Sequence, residues 1–166
     1  MTYAHWEGGI KELAECYLHF VEQQGCLRSA LRPNFIALAS ISPIREAGRS
    51  NSLRPYIGII RTLTDDTNRQ FKLPDIQLID SESNLNTKVL QNILECVGLP
   101  DIWSIFDPKQ RIIDVALLKV RNEISHTGKS DREDIELSEL LKSVLELLES
   151  FKNELENAAV LKKYLL

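Results

Sequence analysis

DPKQRIIDVALLKVRNEISHTG, from Asp107 to Gly128, carries a start, an interior and a stop for one helix. The Asp107 carboxylate can accept from backbone N–H groups left open at a helix start, and proline at the next position suits the first helical residue. The pattern predicts a helix running to about His126 and ending near Gly128. At about 100° per residue, Ile113, Leu117, Val120 and Ile124 fall within about 60° of one another, the stripe a core needs. Asn122 and His126 lie roughly 40° apart on another side, about 100° and 140° from Arg121, so the three polar groups share one open half of the helix terminus. Val115 and Leu118 fall beside them, where free solvent would call for charge. Two apolar stripes with a polar cluster at the end fit a helix shared between a monomer core and a dimer interface, or a fully buried central helix. We favour the dimer.

Working outward, residues 131–157 form the next helix, opened by Ser130 or Asp131, with Leu137, Leu141, Val144, Leu148, Phe151 and Leu155 as a bundle seam. It is expected to lie antiparallel to the helix before it. Upstream, Trp6, Ile10, Leu13, Ala14, Tyr17, Phe20 and Val21 keep the three-and-four spacing of a first helix, with Gly25 as its stop. A shorter second helix is expected from Pro33, yielding at Pro43. Residues 45–83 hold Gly48, Pro55, Gly58 and Pro74 and read as the least regular part, with a helical turn or a strand at Tyr56–Leu63. Asn84 to Asn86 then open a third helix that Gly98-Leu99-Pro100 closes. The fold class is therefore all-α, a bundle of about five helices with a long irregular segment between the second and third, in one domain spanning 1–166.

The 166 residues suffice for one core without metals or disulfides, and 43% hydrophobic with 27% charged residues is ordinary for a soluble globular chain. No apolar run approaches a membrane span. The N-terminus lacks the basic start and apolar stretch of a secretion signal, and Cys16, Cys26 and Cys96 are an odd, unclustered set, so a reducing, cytoplasmic location is expected. A net charge of −4 argues against coating nucleic acid non-specifically, since such binding depends on releasing counterions with lysine and arginine. The charge is uneven, however: Arg45, Arg49, Arg54 and Arg61 have only Glu46 among them, whereas residues 131–156 are acidic.

Arg121-Asn122-Glu123-Ile124-Ser125-His126 resembles the Arg-polar-x-x-x-His motif of the HEPN superfamily, which likewise ends one long helix and precedes another. The opening His5-Trp6-Glu7-Gly8-Gly9-Ile10-Lys11, the Ser83-Asn84-Leu85-Asn86 helix start and the Arg121–Gly128 segment resemble the MAE-type bacterial HEPN family. Ser125 and Thr127-Gly128 stand where close relatives often have Ala and His-Gly, a departure that leaves Arg121, Asn122 and His126 in place.

The resemblance implies a metal-independent endoribonuclease, common in toxin–antitoxin or other defence systems, whose two motifs meet across a homodimer. RNA substrate and an antitoxin or other neutralising protein are the implied partners, and no cofactor or membrane is. Metal-free cleavage needs a base, an acid and a cation. His126 titrates in the right range and Arg121 can clamp phosphate oxygens, with Asn122 orienting the phosphate or the histidine. Without the resemblance, His126 reads as a histidine opposing the helix dipole and Arg121 as a salt-bridged or solvated arginine. Arg45, Arg49, Arg54 and Arg61 can hold RNA phosphates or simply be solvated. Cys16 and His19 lack a second pair at zinc spacing, so no metal is assigned. Trp6 and Trp103 read as core or interface aromatics. The alternative function is a non-catalytic HEPN module that binds a partner protein or a nucleotide.

Overall fold

The computed structural model describes residues 2–65, 68–80, 85–117 and 134–166. In chain order the helices are α1 (Thr2–Gln23), α2 (Pro33–Ala39), α3 (Ile41–Ala47), α4 (Leu53–Asp65), α5 (Thr87–Val97), α6 (Trp103–Phe106) and α7 (Asp134–Val160). Tight 3-10 turns occupy Arg28–Ala30, Pro100–Ile102 and Asp107–Lys109, and a π-helical turn spans Ile112–Leu117. Extended pairing among the described residues is confined to isolated bridges, Leu27 with Gln70 and Leu31 with Leu165. The all-α class read from the sequence is the one observed.

The core is built on α1 and α7, whose apolar faces meet along most of their length. Trp6, Ile10, Ala14, Tyr17, Leu18 and Val21 are buried from α1, and Leu140, Val144, Leu147, Phe151, Leu155 and Ala158 from α7. The two helices run in the same direction: Gly9 faces Leu148, Cys16 and Tyr17 share a cleft with Leu155 and Glu156, and the Phe20 ring meets Tyr164 edge-on at 6.2 Å. Gly9 permits the approach, since a Cβ there would come within 2.8 Å of a Leu148 methyl. The buried row of α7 is rotated from the expected seam. Val144, Phe151 and Leu155 are buried as expected, but Leu140 and Leu147 take the inner positions, Leu148 is half-buried and Leu141 is 38% exposed.

α5 is held at both ends. The Asn86 side chain accepts from the Val89 backbone N–H at 2.9 Å, and Gly98 closes the helix in the left-handed conformation at φ 76°. Asn34 Nδ2 donates to the Cys96 carbonyl at 2.9 Å and Arg32 Nη1 to the Gly98 carbonyl at 3.1 Å, so side chains from the α2 start satisfy carbonyls left open at the α5 end.

Three expectations are corrected. The second helix breaks at Ser40, and Pro43 is the third residue of α3, where a missing N–H costs no helical bond. Asp107 does not cap a helix start: α6 runs directly into it with helical dihedrals, and its carboxylate accepts from Trp103 Nε1 at 3.2 Å and from Gln110 Nε2. The segment 45–83 is less irregular than expected, because its Tyr56–Leu63 stretch belongs to the thirteen-residue α4. Its extended described part is 68–80, pinned where Phe71 N donates to the Cys26 carbonyl and Leu73 N to Glu22 Oε1.

Candidate active site

The motif residues Arg121, Asn122 and His126 lie outside the described residues, as do Val120, Ile124 and the Ser130 or Asp131 opening of the last helix. The chain before the motif is described as far as Leu117, and that part is firmly tied. Ile113 is fully buried in the same core as Phe106, whose ring packs edge-on against Phe151 of α7 at 6.3 Å. Asp114 reaches across to the first turn of α5. Its Oδ1 accepts from the Thr87 backbone N–H and its Oδ2 from the Thr87 hydroxyl, both at 2.7 Å. A carboxylate at a helix N-terminus satisfies an open donor and opposes the positive end of the helix dipole. Trp6 Nε1 donates to the Leu85 carbonyl at 3.3 Å, fixing α1 to the chain two residues before the same helix. The last described turn before the motif is therefore bonded to the start of α5, and the chain just ahead of α5 is bonded to α1.

Sequence reasoning missed the conformation of that turn. Ile112–Leu117 is π-helical, with a wider repeat than the uniform 100° step, so the angular relation between Ile113 and Leu117 is not that of a plain α-helix. Nothing in the sequence marks the π-turn, because Ile112–Leu117, apolar except for Asp114, holds no glycine or proline to set its winding. Such turns recur at functional sites.

Arg45 and Arg49 stand on and just after α3, and Arg54 and Arg61 on α4, all four exposed. Arg54 and Arg61 are seven residues apart and so fall within about 20° on one side of α4, while α3 packs beside it. The four arginines are thus carried by α4, by α3 and by the turn between these neighbouring helices. Sequence reasoning also missed a groove of about 460 Å³ beside it, lined by Leu31, Ile36, Ile44 and Leu63 with Arg28 at its edge.

Among the remaining groups, Cys16 is exposed and His19 Nδ1 stands 3.6 Å from Glu22 Oε2. Among the described residues no three His, Cys, Asp or Glu side chains gather as a metal site requires. Burial, with the Tyr164 phenol beside it and only partly opposed by Arg32, pushes the Tyr17 hydroxyl up to about 12, so it stays protonated at neutral pH. Burial, with a smaller contribution from Glu95, likewise raises Cys96 and keeps it a thiol. Trp6 is a core residue and Trp103 is half-buried. No helix among the described residues is long and apolar enough to cross a membrane.

Comparison with known proteins adds one match. The family model described as RiboL-PSP-HEPN matches residues 1–157. No curated protein and no solved structure matches the chain.

Proposed function

The chain belongs to the RiboL-PSP-HEPN family, within the superfamily its motif resembles, and from that membership we propose that it is a metal-independent endoribonuclease acting across a homodimer. The observation that carries the reading is Arg121-Asn122-x-x-x-His126, standing in a chain of this family just before its last long helix. His126 of one protomer removes the 2′-hydroxyl proton, and the freed oxygen attacks the adjacent phosphorus. His126 of the other protonates the departing 5′ oxygen, leaving a 2′,3′-cyclic phosphate and a 5′-hydroxyl. Arg121 holds the phosphate oxygens with two parallel donors while charge builds on them, and Asn122 orients the phosphate or the histidine. One protomer has one such histidine, so two protomers supply base and acid together.

The whole chain, 1–166, acts in this reading as a single HEPN-like domain in the cytoplasm. Its partners are RNA and, in a toxin–antitoxin or other defence setting, a neutralising protein. Arg45, Arg49, Arg54 and Arg61 extend the hold on RNA phosphates, supported by their exposure on and beside the neighbouring α3 and α4. A second reading, a non-catalytic module that binds a partner protein or a nucleotide, is favoured by the acidity of α7, where seven carboxylates face two lysines.

The test is cleavage of a mixed RNA pool in EDTA by wild type and His126→Ala, with analysis of product ends. Products ending in 2′,3′-cyclic phosphate, lost in the variant, support the nuclease. A well-folded dimer that cuts nothing supports the binding module.

A further inference from the structure

α4 is strongly amphipathic, yet none of its thirteen residues is buried. Pro55, Ile59 and Thr62 are half-covered, while Leu53, Tyr56, Ile57 and Ile60 share an outer stripe. Leu53 is 71% and Ile60 59% exposed. Four large apolar side chains at i, i+3, i+4 and i+7 on one open face exceed the scattered exposure ordinary for a surface. Arg61 and Arg54 border the stripe on one side, about 40° and 60° round from Ile57.

The same chain carries a matching surface. On α7, Leu141 and Leu145 stand one turn apart outside the core row, 38% and 56% exposed. Glu149, Lys142 and Glu146, all exposed, lie about 40°, 60° and 100° round from Leu145, an edge on which the two carboxylates outnumber the lysine. On both helices the charged residues follow the apolar stripe in the same rotational sense. When two helices are laid face to face, that sense is reversed for one of them only if they run antiparallel. An antiparallel crossing therefore sets arginines and glutamates on the same edge, with Ile57 and Ile60 over Leu141 and Leu145. A parallel crossing would place them on opposite edges.

We infer that the outer face of α4 docks antiparallel on the outer face of α7 in a second copy of this chain, through an Ile/Leu seam edged by Arg54 and Arg61 against Glu146 and Glu149. A second copy is the occupant because the complement in shape class, polarity and charge is already present in the chain. The contact does not involve Arg121, Asn122 or His126 and does not depend on their reading, but it engages Arg54 and Arg61, so RNA phosphates and the second copy compete for these two arginines.

The test mixes two versions of the full chain, both carrying Cys16→Ser, one with Ile60→Cys and a tag, the other with Leu145→Cys. Under mild oxidation the mixed pair is expected to cross-link roughly tenfold above a control pairing of Ile60→Cys with exposed Ser104→Cys. Equal yields overturn the proposal. Sedimentation of Ile60→Asp is read in parallel and should show self-association weakened by roughly tenfold, the usual cost of removing a central apolar anchor. Unchanged association overturns it, as does a wild type that stays monomeric at tens of micromolar. Arg54→Glu/Arg61→Glu should weaken association similarly, and mixing it with Glu146→Arg/Glu149→Arg should restore it; restoration would not occur if a different protein covered α4. RNA cleavage is assayed on the same samples, so a silent nuclease with intact cross-linking rejects only the catalytic reading.

Discussion

α4 and α5 are comparably amphipathic in sequence and meet opposite fates. α5 sends Val89, Leu90, Ile93, Leu94 and Val97 into the core, between α1 and α2, and has a cap at each end. α4, two residues longer, buries nothing and leans on α3. An apolar stripe reports that a face is suited to being covered. It does not report what covers it, because that depends on segments distant in the chain or on another molecule.

The sharpest way to break the contrast is a matched pair of truncations. Leu90→Ala should lower stability to urea by about 2–5 kcal/mol, the transfer and cavity cost of a buried leucine. Ile60→Ala, measured in dilute solution where copies do not meet, should stay within about 0.5 kcal/mol. Equal losses would mean that α4 is as much a part of the folded core as α5. Gly98→Ala sharpens the account of why α5 stops where it does. Its φ of 76° strains any side chain, and the added Cβ would lie 2.9 Å from the Asn34 amide that binds Cys96, so a loss of about 1–3 kcal/mol in thermal unfolding is expected. Asp114→Ala removes the carboxylate at the other end of α5. A loss of about 0.5–2 kcal/mol is expected, with faster hydrogen exchange at the Thr87 amide; an unchanged amide would show that Asp114 does not hold the helix start.

What was readable in the sequence was local. Asn86 and Gly98 announce the ends of α5 through bonds and dihedrals within a few residues, and both stand where expected. The face of α7 was half-readable, because Leu140-Leu141 and Leu147-Leu148 offer two adjacent rows and periodicity cannot choose between them; α1 chooses, through Gly9 and its neighbours. Pro43 misled because proline stops a helix only beyond its first turn, and the break at Ser40 put it inside one. Asp107 misled because its cap chemistry went to Trp103 and Gln110. Within the candidate site, Arg121, Asn122 and His126 were legible as a motif. The Asp114–Thr87 tie and the π-turn before the motif were not, since one joins residues 27 apart and the other is a choice of winding.

Ser40 shows the same limit at the scale of one atom. Its hydroxyl is buried without a partner at the α2–α3 junction, an expense the sequence gives no reason for.

The parallel pairing of α1 with α7 bears on how the protein is born. α1 finds its main partner in α7, far later in the chain, so Ile10, Ala14 and Tyr17 leave the exit tunnel well before most of what buries them has been made. At about 5–20 residues per second, the residues that cover them follow roughly seven to thirty seconds later. The α1–α7 core can close only once α7 has been made, and a nascent chain stalled before α7 displays an apolar helix for which chaperones and other unfinished copies compete.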